Sequence, residues 1–176
     1  MREKGIKADL HVHSRYSACP AQWFLKKMGS PESFTDPRTV YSLAKKQGMD
    51  LVTVSDHDTL AGALEIAHLE DVFLSEEITA VFPEDGCKLH VLALDIDEHI
   101  HEDLQRLREN VYELAAYLHQ KDILHTVAHP LCHTNHSLTL EHVEKMLLLF
   151  THFEQSGARN PRQNEALLGI FQALTP

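Results

Sequence analysis

Asp9-Leu10-His11-Val12-His13-Ser14 closes an apolar run that begins at Ile6. In an extended segment successive side chains point to opposite faces, so His11 and His13 emerge together, one pleat repeat apart, where two imidazoles can converge on one cation. A single His-x-His pair is weak evidence, and the rest of the chain must supply further ligands. Fourteen histidines in 176 residues provide the means, but their placement decides.

Outward from that stretch, short apolar runs alternate with amphipathic ones. Residues 6–12 read as a first strand. Asp36 followed by Pro37 is an N-cap with proline at the first helical position, with Val40, Leu43 and Ala44 as the apolar stripe and Gly48 as the stop. Residues 50–55 are β-rich, 60–69 form a short helix and 72–79 a third strand. Pro83-Glu84-Asp85-Gly86 between residues 79–82 and 88–94 predicts a hairpin. Apolar residues at 104, 107, 111, 114 and 118 predict one long helix over 102–121. Residues 123–128 are the next strand, Thr139 caps a helix through Leu148, 150–154 are extended, and Pro161 opens a last helix to Leu174. The irregular segment 14–35, with Trp23, Phe24, Leu25 and Phe34, reads as a lid or wall. The alternation predicts an α/β fold with a mostly parallel sheet or barrel, as one domain over residues 1–176.

A net charge of −10 argues against a nucleic-acid-binding surface, which needs a basic patch. No apolar stretch is long enough to span a membrane and the first residues do not read as a signal peptide, so a cytoplasmic location is expected. Cys19, Cys87 and Cys132 are scattered and odd in number, which predicts reduced thiols rather than a disulfide framework.

His11 and His13 close the first strand, His57 follows the second in Val54-Ser55-Asp56-His57-Asp58, Glu77 lies late on the third, and His129 ends a later one. In β-α folds the carboxyl ends of strands gather at one rim. His90 begins its strand, but the hairpin turns that beginning back to the same rim. Alternation allows only one of Glu76 and Glu77 to face the core, and Glu77 is preferred. Imidazoles with a shared carboxylate suit zinc, manganese or iron better than calcium. Two cations roughly 3.5–4 Å apart can acidify a shared water and hold both oxygens of a phosphoryl transfer. Arg15, beside this motif, is the candidate phosphate contact. His68, His99, His101, His119, His125, His136, His142 and His152 are expected to be solvated or capping, and Asp9 to support packing.

In this order, Asp9-Leu10-His11-Val12-His13-Ser14, Val54-Ser55-Asp56-His57-Asp58, Glu77-Ile78-Thr79, Lys88-Leu89-His90-Val91-Leu92 and Ala128-His129-Pro130 resemble the motifs of the polymerase and histidinol phosphatase (PHP) family of metal-dependent phosphoesterases. Phe153-Glu154 is similar to the strand after the family's Ala-His-Pro motif. Trp23-Phe24-Leu25, Pro31-Glu32-Ser33-Phe34 and residues 62–69 resemble the branch found beside glycosyltransferases. The resemblance implies a distorted seven-stranded (β/α) barrel of PHP type with two or three divalent ions. His11, His13 and Glu77 would hold one, Glu77, His90 and His129 a second, and His57 a third. A metal-bound water positioned by Glu77, His90 and His129 would hydrolyse a small phosphorylated metabolite or nucleotide.

Two departures stand out. Ser17-Ala18-Cys19-Pro20 occupies the place of a family aspartate or histidine, which leaves either Cys19 as a substitute ligand or a weak third site, and the family's closing Asp-x-His motif is absent. The chain reads as a carboxy-terminally shortened, incomplete barrel whose exposed edges predict a homodimer. Two other functions fit the same residues: a catalytically impaired metal-binding PHP domain with a scaffolding or regulatory role, and an amidohydrolase-like hydrolase.

Overall fold

A computed structural model describes residues 5–17, 32–131, 138–155, 164–165 and 168–170. Strand β1 (Ala8–Asp9) lies parallel to β2 (Leu51–Val52), with Ala8 opposite Leu51 and Asp9 opposite Val52. Between them runs α1 (Pro37–Lys46), whose start is fixed by the Asp36 carboxylate accepting from the Arg38 N–H and by Pro37 at its first position. Gly48, at φ +80°, ends it in the left-handed conformation that glycine adopts without steric cost. Helix α2 (Ala61–Ile66) follows β2.

Strand β3 (Ser75–Val81) pairs antiparallel with β4 (Lys88–Leu94) from Ser75–Leu94 to Val81–Lys88, and β5 (His125–Ala128) pairs antiparallel with the other edge of β4. The hairpin turn closes with Gly86 at φ +75°. Isolated parallel bridges, Val52 to Val72, His57 to Glu77 and Val127 to Phe153, extend the order of neighbours from β1 through β5 to residue 153. Helices α3 (Glu98–Leu107), α4 (Val111–Gln120) and α5 (Leu140–Leu149) complete the described elements.

The sheet is therefore mixed, not mostly parallel: the short β3–β4 turn can only join antiparallel strands, since a parallel crossover needs a dozen or more residues. Among the described residues the strands do not close into a seven-stranded barrel, and β1, β2 and β5 are shorter than the sequence pattern predicts. The predicted single helix over 102–121 is two. Asn110 breaks it, its side chain accepting from the Tyr112 N–H and capping α4, because asparagine offers the backbone an alternative to the helical ladder. The leucine stripe continues across the break. Leu104, Val111, Leu114 and Leu118 are all fully buried against Ile78, Ala80, Val91 and Val127 of the sheet and Val143, Met146 and Phe150 of α5 and its end. A smaller cluster, Val40, Val54, Ala63 and Ile66, packs beneath α1 and α2. Thr139 caps α5 as expected, and residues 164–165 and 168–170 of the last predicted helix are helical. Among the described residues no helix is long and apolar enough to cross a membrane.

Candidate metal centre

Alternation along β3 sends neighbouring carboxylates opposite ways. Ile78 and Ala80 face the helices, and so does Glu76, which accepts from Gln105 Nε2 and meets His101 Nδ1, each at 2.9 Å. Glu77 points to the other face. Both are fully buried, so the expectation that only one would leave solvent is corrected: the helix layer carries its own polar partners for Glu76.

The two oxygens of Glu77 face different sets of imidazoles. His11 Nε2, His13 Nε2 and His57 Nε2 lie 3.1, 3.0 and 3.3 Å from Oε2. His90 Nδ1 and His129 Nε2 lie 3.0 and 2.9 Å from Oε1. The Thr79–His90 pairing of the hairpin puts His90 beside Glu77, and the His57–Glu77 bridge does the same for the loop after β2. Two donor groups compact enough to hold an ion share this carboxylate, His11–Glu77–His129 and His13–His57–Glu77.

Hydrogen bonds on the far side of two rings fix what their near nitrogens offer. His11 Nδ1–H donates to Glu154 Oε2 at 3.2 Å, and His13 Nδ1 lies 3.2 Å from Ser17 Oγ, whose hydroxyl donates to Glu32 Oε2 at 3.2 Å. In neutral rings this leaves a lone pair on each Nε2, yet these atoms lie 3.2 Å apart and both face a carboxylate oxygen. Five nitrogens also crowd about four lone-pair sites of one carboxylate. A divalent cation resolves both conflicts, and the far-side bonds are the orienting pattern that metal-ligating histidines show. The residues fit the ions that the sequence motifs imply.

Without an ion the cluster is held by charge. Burial works to raise the Glu77 pKa, but its imidazole partners outweigh that and hold it well below the ordinary carboxylate value. Burial works to lower the His11 pKa, but Glu154 and Glu77 push it up to about 10. His90 is lowered, chiefly by burial, while His57 is raised because Glu32 and Glu77 overcome its burial.

The supporting loops are tied closely. Asp56 accepts from the Ser14 N–H and hydroxyl, both at 2.6 Å, joining the segment that carries His13 to the one that carries His57. A Cβ at Gly62 would collide with that carboxylate and hydroxyl, so glycine permits the approach of α2. Asp58, at φ +55°, accepts from the Thr79 N–H at 2.7 Å and from Arg108 at 2.9 Å. Glu154 Oε2 also accepts from the His129 N–H at 2.8 Å, and His129 stands at φ +30°. That backbone region is sparsely populated by non-glycine residues and is held here by its surroundings.

All six predicted ligands, His11, His13, His57, Glu77, His90 and His129, thus come together. Arg15 does not join them: its guanidinium binds Asp36 and, at 2.9 Å, Glu65. Cys19, Trp23, Phe24, Leu25, Cys132 and His133 lie outside the described residues. Asp9 is exposed, whereas His101 is half-buried on Glu76, and His125 and His142 are buried rather than solvated. His142 completes the capping box of Thr139. Two acidic residues at the centre were missed as participants: Glu32, 3.1 Å from His57 Nε2, and Glu154. The signal for both lay inside quoted motifs, Pro31-Glu32-Ser33-Phe34 and Phe153-Glu154.

No family model matches the chain. A protein of Methanocaldococcus jannaschii described as uncharacterized is 41% identical over 68 residues, a stretch that spans 39% of this chain and 38% of that relative. A crystal structure from Bifidobacterium adolescentis, provisionally described as a metal-dependent phosphoesterase, aligns with 96% of this chain and 84% of its own at a TM-score of 0.63 and 19% identity. An amidohydrolase from Chromobacterium violaceum, solved with sulfate and no metal, aligns over the same shares at a TM-score of 0.62 and 14% identity. The chain shares its fold with these two proteins.

Proposed function

We propose that this chain is a PHP-type metal-dependent phosphoesterase that hydrolyses small phosphate esters. The observation that carries this reading is Glu77, a fully buried carboxylate whose two oxygens address separate groups of imidazoles. His11, His13, His57, Glu77, His90 and His129 would hold two or three divalent ions of the zinc, manganese or iron kind. Such ions supply Lewis-acid polarisation of phosphoryl oxygens and acidify water at neutral pH.

The chain's own residues prepare the site. Glu77 keeps the two donor groups adjacent and contributes the negative charge that favours cation entry. Glu154 orients His11 and pins the backbone of His129, while Ser17 orients His13. Burial keeps the His90 imidazole neutral, as a ligand must be. Because Arg15 is engaged by Asp36 and Glu65, charge on a bound phosphate falls to the cations rather than to that guanidinium. The sulfate in the Chromobacterium structure shows that one protein of this fold accommodates a tetrahedral dianion.

Hydrolysis of a carbonyl substrate is the second reading, favoured by the same neighbour's description as an amidohydrolase and by the suitability of His-x-His donor sets for polarising a carbonyl. A panel of phosphomonoesters, phosphodiesters, lactones and cyclic amides with added manganese or zinc separates the two. Metal-dependent turnover confined to phosphate esters, lost on His11→Ala, is expected. Turnover of the carbonyl substrates alone would replace the first reading with the second, and no metal-dependent turnover of any substrate would remove both.

A further inference from the structure

Glu32 lies outside the six residues that the motifs supply, yet its carboxylate reaches the same nitrogens as Glu77. Glu32 Oε2 is 3.1 Å from His57 Nε2 and 3.9 Å from His13 Nε2, while Glu77 Oε2 is 3.3 and 3.0 Å from the same two atoms. A tetrahedron built on metal bonds of about 2.0–2.1 Å has edges of about 3.3–3.4 Å. Four of the six edges that such a position needs bracket that length; His13, His57 and Glu77 already form a compact donor group, and Glu32 stands 3.1 Å from its His57 Nε2.

An ordinary ion pair does not account for this arrangement. The single Nε2 of His57 stands almost equidistant from two carboxylate oxygens of different residues, so one N–H would be divided between both and aimed well at neither. In a neutral His13 ring, the form that binds a metal, the relay from Nδ1–H through the Ser17 hydroxyl to Glu32 leaves the Nε2 lone pair facing Glu77, where a cation would separate them. The same relay ends on Glu32 Oε2, the oxygen that faces His57, and holds that carboxylate in place, as a ligating carboxylate is usually held by a hydrogen bond. Glu32 remains about a quarter exposed, with a side-chain accessibility of 28%, so the position has an approach from solvent.

We propose that Glu32 is a metal ligand that completes, with His13, His57 and Glu77, a four-donor position for one divalent cation. The inference rests on the metal centre described above and changes how its donors divide. His57 gains the partner that the family motifs do not supply, His13 shares its ion with His57, and His11 belongs with His129. All four donors lie between residues 13 and 77, so this position draws nothing from a closing Asp-x-His motif.

Elemental analysis after equilibrium dialysis against zinc or manganese, together with the visible absorption of the cobalt-loaded protein, tests it. The wild-type chain is expected to hold about two ions, one for each donor group. Glu32→Gln, which keeps the side chain's shape, should lose one of them or bind it at least tenfold more weakly, and should lose the intense four-coordinate cobalt band. His57→Ala should produce the same loss, and the far-ultraviolet circular dichroism of metal-free Glu32→Gln should match that of wild type, so that a ligand is lost and not the fold. A Glu32→Gln protein with wild-type stoichiometry, affinity and cobalt spectrum overturns the role of Glu32 and leaves the metal centre standing. A wild-type chain that binds no ion overturns both.

Discussion

Glu76 and Glu77 are consecutive, equally buried and chemically identical, and the two faces of one strand make opposite use of them. On the helix face Glu76 meets one imidazole and one amide, and burial wins: its pKa is raised despite His101 and Gln105. On the other face the imidazoles of His11, His129, His13 and His90 overcome the same burial and drive Glu77 down. Burial alone says little about the charge state of a carboxylate, because the donors converging on it decide. The helix face uses a buried acid to anchor α3, and the opposite face concentrates negative charge where cations can bind.

Exchanging each acid for its neutral isostere tests this contrast most severely. Glu77→Gln removes the shared ligand of both donor groups and is expected to reduce metal affinity at least about a thousandfold, or about 4 kcal/mol at roughly 1.4 kcal/mol per tenfold. Glu76→Gln should leave metal affinity within about twofold of wild type. Equilibrium titration with zinc checks both, and equal losses in the two variants would abolish the distinction between the faces.

The apolar part of the helix face should respond in the opposite currency. Leu114 is fully buried among Ile78, Val91, Leu118 and Met146, so Leu114→Ala removes transfer energy and leaves a cavity. A loss of about 2–5 kcal/mol of stability is expected, with metal stoichiometry intact. Chemical denaturation of the metal-free protein measures the first and elemental analysis the second. A variant that keeps its stability but loses metal would show that the two faces are coupled.

Glu154 gives a smaller and more specific effect. It touches His11 and His129 on the sides away from Glu77, so it acts as a positioning residue. Glu154→Gln is expected to weaken metal binding about 10–100-fold, the usual consequence of removing an orienting partner. Affinity unchanged by this substitution would show that the His11 ring is held by packing alone.

Of the six candidate ligands, His11, His13, His57 and His129 were legible because each lies beyond the carboxyl end of a strand, and such ends converge at a rim; Glu77 and His90 instead lie within β3 and β4, brought together by the register of the hairpin. His90 was placed by topology, since the Pro83-Glu84-Asp85-Gly86 turn reverses the direction of its strand. Glu32 was not legible as a participant, because a carboxylate in an irregular segment carries no periodicity, nor was Glu154, whose reach depends on how the extended run 150–154 lies against β5. The break at Asn110 was hidden by a leucine stripe that continues through it in the correct phase. The burial of Glu76 was hidden by His101 and Gln105, which lie on a helix 25 and 29 residues away. The mixed sheet followed from the hairpin once its turn was taken at face value, but the β-α alternation argued more loudly for parallel strands.

The smallest effect is one of sign. Glu76 has a folded-state pKa above its ordinary 4.5, so its ionisation begins to cost stability as pH rises from 4.5 and the full cost is present above the folded value. His101, raised above 6.5 by Glu76 and opposed by its partial burial, contributes stability below 6.5 that is lost as pH rises through its folded value. The groups facing Glu76 are His101 and Gln105 from α3 and, through space, the negative charge of Asp58, which reinforces the upward shift. Both windows therefore act in the same direction. In metal-free protein, the melting temperature of Glu76→Gln relative to wild type should climb as pH rises from 4.5 through the folded-state values of Glu76 and His101. Glu77 carries the reverse sign, giving stability above 4.5 that is lost as the solution is acidified through its folded value. A Glu76→Gln difference that stays flat or falls with pH would mean that the helix-face acid is ionised as readily as its neighbour, and the two faces would then differ in their ligands but not in their electrostatics.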